Sequence, residues 1–335
     1  MKIIFDLRKV GLGNNGGSST LIKSGNALVE MGHDVFFVDS MKNQHTWTPL
    51  KAKHIIPKTE GRIPDADFII ATGYKSVGPT CKAPDRCGRK VHYIRGWETW
   101  QMNEKQIVER ILKVPTIKLV NGIGLQEKLK KYGFASHIIR PGYDFDEIYP
   151  THYRDSKKGI IVGGIYLSGV RGNRKRTEWM FITVRKLKTK YKDVKFWLFG
   201  NEASPPNHIV DNYVKRPNAK EKNKFYNSID IWMAPSSLEG LHLPPAEAMM
   251  TGCPVVSTLA EMSGVRDYIV SGHSGMLSKN NPSSFLNDVE HLYNHQECRK
   301  RIGNNAITAI KDIGGRKKNM QTMIDLLGNL SDENI

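Results

Sequence analysis

Cysteine is scarce in this chain, and its four copies, Cys81, Cys87, Cys253 and Cys298, are scattered. That excludes a disulfide framework. No common zinc spacing links Cys81 to Cys87, and no histidine pair completes a site with them. Long apolar runs are missing too. None approaches the ~20 residues that a helix needs to cross a bilayer. The opening MKIIFDL reads as a strand rather than as the apolar core of a secretion signal. No internal repeat or low-complexity tract occurs. These absences point to a cytoplasmic protein with reduced thiols, soluble or peripheral at a membrane. Acidic residues are also short: 50 Lys and Arg stand against 33 Asp and Glu, a formal net charge of +17. The excess is spread over both halves and suits an anionic partner, whether a nucleotide diphosphate, an acidic membrane surface or nucleic acid. Its densest run, Arg171 to Lys195, contains RKLKTKYKDVK, which also reads as the solvated face of a helix.

What is present is a regular alternation. With 335 residues and 39% hydrophobic content, the chain is long enough for two domains with real cores. It opens with a strand (KIIFDL), a Gly/Asn-rich loop, a helix over 20–33 capped by Ser18 or Ser19, and a second strand (DVFFVD). Further strands are expected at 67–72, 90–94 and 116–120, with a helix at 125–132. The polar, Pro/Gly-punctuated segment 140–158 closes the first half. A second alternation follows, with strands at 159–164, 194–200, 229–234 and 254–258. Its helices fall at 177–190, near 219–227 and at 244–251, and helical patterns at 283–293 and 316–327 end the chain. Short β-branched strands between helices mean α/β architecture with parallel sheets. The expected domains are 1–150 and 151–315, with 316–335 as a separate closing helix.

Two short patterns invite other readings. Gly11-Leu-Gly-Asn-Asn-Gly16 has the GxGxxG form, and Asp39 ends the next strand where a ribose-binding acid would sit. A nicotinamide-dependent oxidoreductase is therefore an open alternative. In that fingerprint the glycine turn follows the strand directly, whereas Arg8, Lys9 and Val10 intervene here. Asp144-Phe-Asp146 is formally DxD, a metal–nucleotide pattern, but its place in the polar junction reads as a structural turn.

The most informative stretch is SSLEGLHLPPAEAMMTG, at 236–252. It reads as a strand-end loop carrying Glu239, then a helix with Pro244 and Pro245 at its start, Glu247 in its first turn and Gly252 at its end. A helix N-terminus beside the carboxyl ends of parallel strands is the usual ligand crevice of open α/β sheets. Carboxylates there can accept hydrogen bonds from sugar hydroxyls. The plainer reading is an ordinary βαβ unit with a solvated loop glutamate and an acidic first turn.

The phrase PSSLEGLHLPPAEAMMTGCPVVS closely resembles the signature of GT4-type retaining glycosyltransferases, whose hallmark is Glu-x7-Glu in this setting. GYDFDEIYP, at 142–150, is similar to the phrase that joins the two domains in that family. The resemblance implies a GT-B fold, with two Rossmann-like, doubly wound domains facing across a cleft and the last helix crossing back. It implies a sugar moved from a nucleotide-diphosphate sugar to a glycan, a lipid-linked or another hydroxyl acceptor, with the anomeric configuration retained. Glu247 would accept from the donor's ribose, and Glu239 would contact its sugar. The N–H groups of Leu241, His242 and Leu243 would face the phosphates, and the Gly16-Gly17 loop would approach the donor. The family's Arg and Lys, which meet the leaving diphosphate, fall on a longer loop here, GGIYLSGVRGNRKRTEWM. Lys175 takes the Lys position; the Arg position falls near Gly164, so its role is lost or supplied by Arg171. Val91-His-Tyr-Ile-Arg-Gly-Trp-Glu98 resembles a phrase of rhamnosyltransferase-like members. Arg95 and Glu98 could thus line an acceptor or sugar site, or form an interior ion pair. Fixed cations and a helix N-terminus can replace a metal, so no metal or other cofactor is expected. A DNA-modifying glucosyltransferase and a catalytically dead sugar-nucleotide binder remain as alternatives.

Overall fold

The computed structural model describes residues 1–40, 48–57, 61–151, 159–203, 205 and 208–332. Two compact units emerge, Met1–Gly142 with Gly315–Ile335, and Tyr143–Gly314. The division falls at Gly142 rather than near 150 because Tyr143 and Ile148 are buried in the core of the second unit.

In the first unit the strands are β1 (Lys2–Asp6), β2 (Asp34–Val38), β3 (Lys53–Ile55), β4 (Phe68–Ala71), β5 (Arg89–Ile94), β6 (Ile117–Val120) and β7 (His137–Ile138). They form one sheet in the order β3-β2-β1-β4-β5-β6-β7. Every pairing is parallel. Side chains alternate across β1: Ile3 and Phe5 enter one core, and Ile4 enters the other. A strand buried on both faces explains why KIIFDL is a continuous apolar run. Helix α1 (Gly16–Glu30) begins earlier than the sequence suggests. Asn15, not Ser18 or Ser19, is its cap, and the Asn15 side chain accepts from the Ser18 N–H at 3.0 Å. Gly16 and Gly17 therefore form the first helical turn rather than a loop. Helix α2 (Tyr74–Cys81) follows β4, and α3 (Ile123–Lys131) follows β6.

In the second unit the strands are β8 (Ile161–Ile165), β9 (Lys195–Gly200), β10 (Asn212–Lys215), β11 (Ile231–Ala234), β12 (Val255–Thr258) and β13 (Met276–Ser278). Their order is β10-β9-β8-β11-β12-β13, and the pairs are again parallel. The helices are α4 (Gly169–Lys175), α5 (Thr177–Lys190), α6 (Ala219–Ser228), α7 (Leu243–Met250), α8 (Pro282–Asn294) and α9 (Gln296–Ile313). The sequence pattern does not announce α9, because only Ile302, Ala306 and Ile310 form its buried apolar stripe. Its Gly303 lies against α7's end: a Cβ there would meet the Gly252 carbonyl oxygen at 2.3 Å. The basic run on α5 is a solvated face. Arg185, Lys188 and Lys190 pair with Glu178, Asp211 and Glu290.

The last helix, α10 (Arg316–Asp332), belongs to the first unit, where Met320, Met323 and Leu327 join Leu21 and Leu28 in one core. Gly142, at φ 74°, leads toward it, and a Cβ there would strike the Arg316 Cα at 2.7 Å, so only glycine fits. Both sheets reverse their winding beside the first strand, between β1 and β4 and between β8 and β11. Ligand crevices of open α/β sheets form at the carboxyl ends of such switch points.

Candidate functional site

At the switch point of the second sheet, the loops after β8 and β11 meet. The first ends in α4, whose last residue is Lys175. The second runs from Pro235 to His242 and turns into α7. They are tied together at Ser237, whose main-chain N–H and hydroxyl both donate to the Arg174 carbonyl, at 3.0 and 3.2 Å. That tie sets Lys175 opposite Glu239, and the Lys175 ammonium lies 2.6 Å from Glu239 Oε1. Both side chains are only 17% exposed. Burial works to raise the Glu239 pKa, but the Lys175 charge and hydrogen bonds from Lys175 and Ser236 outweigh it, so the carboxyl sits below its ordinary value.

The chain enters α7 through His242, the N-cap, in the left-handed conformation at φ 55° and ψ 68°. The helix therefore starts at Leu243, one residue before the prolines. This places Glu247 in the second turn, not the first. Its carboxylate is held from both sides: Tyr226 on α6 donates its hydroxyl at 2.7 Å, and Lys222 donates at 3.2 Å. The Glu247 charge in turn raises the Lys222 pKa. Leu241 is buried in the core, and Leu243 packs against it. Any contact of Leu241 with a ligand must come from its main chain.

Arg171 lies on α4, with its side chain outside the described part of the structure. Gly164 cannot stand in for a family arginine. It lies within β8, and a Cβ there would meet Met180 Sδ at 2.5 Å. A basic group that the sequence reading missed is Arg176. It has left-handed backbone between α4 and α5 and its guanidinium 4.2 Å over the Trp179 ring. Burial lowers its pKa.

The solved structures of HepE from Anabaena and of sucrose-phosphate synthase from Thermosynechococcus elongatus follow this chain almost throughout. For HepE, in complex with UDP and glucose, the TM-score is 0.77 at 14% identity, over 98% of this chain and 100% of that one. For the synthase it is 0.74 at 14% identity, over 100% of both chains. The fold is GT-B.

Residues 161–295, from β8 to the end of α8, match the family described as Glycosyl transferases group 1. A D-inositol 3-phosphate glycosyltransferase of Paenarthrobacter aurescens (strain TC1) is 30% identical over 199 residues, 54% of this chain and 48% of that protein. The chain spans less than half the length of the curated relatives that it matches. Among the described residues, no helix is long and apolar enough to cross a membrane.

Within this GT-B chain, Gly16, Gly17, Arg95 and Glu98 gather at the switch point of the first unit. Arg95 makes no interior ion pair within 4 Å with Glu98 among the described residues. Its guanidinium donates to the carbonyls of Gly17 at 2.6 Å and Thr72 at 2.9 Å, and so fixes the first turn of α1 to the end of β4. Glu98 accepts from Gln101 Nε2 at 2.6 Å, and burial raises its pKa. The GLGNNG loop does not follow β1 directly. Val10 and Gly11 first fold back to donate to the Leu7 carbonyl, which is unlike a dinucleotide turn. Asp144 lies in a turn, where its carbonyl accepts from the Glu147 and Ile148 N–H groups at 3.1 Å.

Proposed function

We propose that this chain is a retaining GT4-type glycosyltransferase that moves a sugar from a nucleotide-diphosphate sugar to a hydroxyl acceptor. The observation that carries this reading is the mostly buried pair Lys175–Glu239 at the β8/β11 switch point, beside the N-terminus of α7, with Glu247 one turn along. The match over residues 161–295 supports it, and HepE, of the same fold, is a complex with UDP and glucose.

In this reading the diphosphate lies against the main-chain N–H groups of Leu241, His242 and Leu243. Lys175 meets the charge that develops on the departing phosphate oxygen, with Arg171 on the same helix as a further cation. Glu239 accepts from hydroxyls of the donor sugar, and Glu247 from the ribose. The bond from the anomeric carbon to the diphosphate breaks with its electron pair moving to the phosphate oxygen. The acceptor oxygen attacks the same face and passes its proton to that oxygen. No metal is needed, because lysine and helix dipole supply the positive charge. In the first unit, taken by itself, Glu98 takes an acceptor hydroxyl, and Arg95 fixes the Gly16-Gly17 turn and the end of β4 beside it. The net charge of +17 favours a lipid-linked or other glycan acceptor at an anionic membrane surface.

Calorimetry with UDP, GDP, dTDP and NAD tests the reading. One nucleoside diphosphate should bind and NAD should not. Glu247→Ala should weaken that binding by about 1–3 kcal/mol, the loss of charge-assisted hydrogen bonds. Binding of NAD alone, or affinity indifferent to Glu247, would remove the nucleotide from this site.

A further inference from the structure

His242 is an odd residue to find at this corner. Its backbone is left-handed, where glycine costs nothing and other residues are uncommon. Its imidazole is 1% exposed, in a place where the reaction proposed above calls only on the main chain. Backbone strain of this kind persists where the surroundings hold it, and it gathers at functional sites. The ring's surroundings suggest why a side chain is kept. Nε2 lies 3.3 Å from Ser236 Oγ and 4.0 Å from Glu239 Oε1. Ser236 is itself buried, and its hydroxyl helps to hold the Glu239 pKa down. A hydroxyl that donates to a carboxylate has its lone pairs left to accept. The imidazole is neutral, since burial and then the Lys175 charge push its pKa down to about 3. A neutral ring carrying its proton on Nε2 is the tautomer that completes the chain.

We infer that His242 is a positioning residue for Glu239. Its Nε2–H donates to Ser236 Oγ, whose hydroxyl donates to the Glu239 carboxylate, while Lys175 holds that carboxylate from the other side. When a donor arrives and Lys175 turns to the diphosphate, the Ser236–His242 arm keeps Glu239 aimed at the sugar hydroxyls. The arm acts on the sugar and not on the nucleotide. This inference rests on the proposed site, and its signature is a split between the two parts of the donor.

The test uses the full chain and whichever of UDP-glucose, GDP-mannose and dTDP-glucose the wild type hydrolyses, together with the matching nucleoside diphosphate. His242→Gly, which suits the left-handed backbone, should bind the nucleoside diphosphate within about 2-fold of wild type. Its turnover of the nucleotide sugar should fall on the order of 10- to 100-fold, as expected for a misaimed contact. Ser236→Ala should reproduce that split from the other end of the arm. His242→Gln, with an amide nitrogen near the Nε2 position, should recover part of the turnover. Unchanged turnover in both His242→Gly and Ser236→Ala overturns the inference. So does an equal loss of nucleoside diphosphate affinity, which would mean that the ring only shapes the phosphate loop. A wild type that neither binds a nucleoside diphosphate nor hydrolyses any of the three sugars refutes the reading of the site itself, and this inference falls with it.

Discussion

Lys175→Ala is expected to lower turnover by about 10²–10³-fold, the usual cost of removing one fixed group that stabilises developing charge. Donor affinity should fall much less, because the charge on the bridging phosphate oxygen peaks in the transition state. The same substitution should also destabilise the second unit. Lys175 and Glu239 are each only 17% exposed, so removing the lysine leaves a mostly buried carboxylate without its counter-charge, at a cost of about 3 kcal/mol. The double variant Lys175→Met with Glu239→Gln removes both charges and should restore most of that stability while leaving turnover low. Urea unfolding and initial rates on the same samples separate the two effects. Full turnover in Lys175→Ala, with only stability lost, would make the pair structural.

Acid should weaken both units through two buried histidines. His242 in the second unit and His92 in the first both have pKa values lowered to about 3, mainly by burial. The Lys175 charge adds to the effect at His242, as do Lys118 and Arg95 at His92. Glu239 opposes it at His242. Neither His92 ring nitrogen has a hydrogen-bond partner among the described residues. The folded state keeps both rings neutral, whereas an unfolded histidine takes a proton below about pH 6.5. Stability is therefore complete above that value and is lost as pH falls from 6.5 toward 3. By pH 5 each ring should cost its unit about 2 kcal/mol. The lowered Glu239 pKa acts in the same direction only below the ordinary carboxylate range. His92→Leu should flatten the acid limb of the first unit between pH 7 and pH 5, measured by urea unfolding. An unchanged limb would mean that His92 protonates without cost in the fold.

The site was legible where its chemistry is local in sequence. Glu239, the prolines, Glu247 and Gly252 lie within one strand–loop–helix passage, and helix α5 runs over the expected 177–190. Lys175 came from the resemblance, and the structure sets it beside Glu239. What stayed hidden depends on the third dimension. Tyr226 and Lys222 reach Glu247 from another helix, and nothing in their own sequence neighbourhood marks them. The left-handed turn at His242 moves the helix start by one residue, which no propensity for Leu-Pro-Pro would reveal. Asn15 caps α1 because a glycine pair can begin a helix when a side chain satisfies one of its first-turn N–H groups, here that of Ser18. Helix α9 escaped notice because its outward faces are polar and Asn304 and Asn305 interrupt the pattern, although Ile302, Ala306 and Ile310 are fully buried.

Stereochemistry and metal dependence of transfer test the proposed role of Lys175 most directly. A nucleotide sugar of known α configuration, turned over in excess EDTA, should react at its ordinary rate. The first product, followed by its anomeric proton in NMR before mutarotation, should be α. An inverted product, or activity lost to EDTA and restored by Mn²⁺, would contradict it.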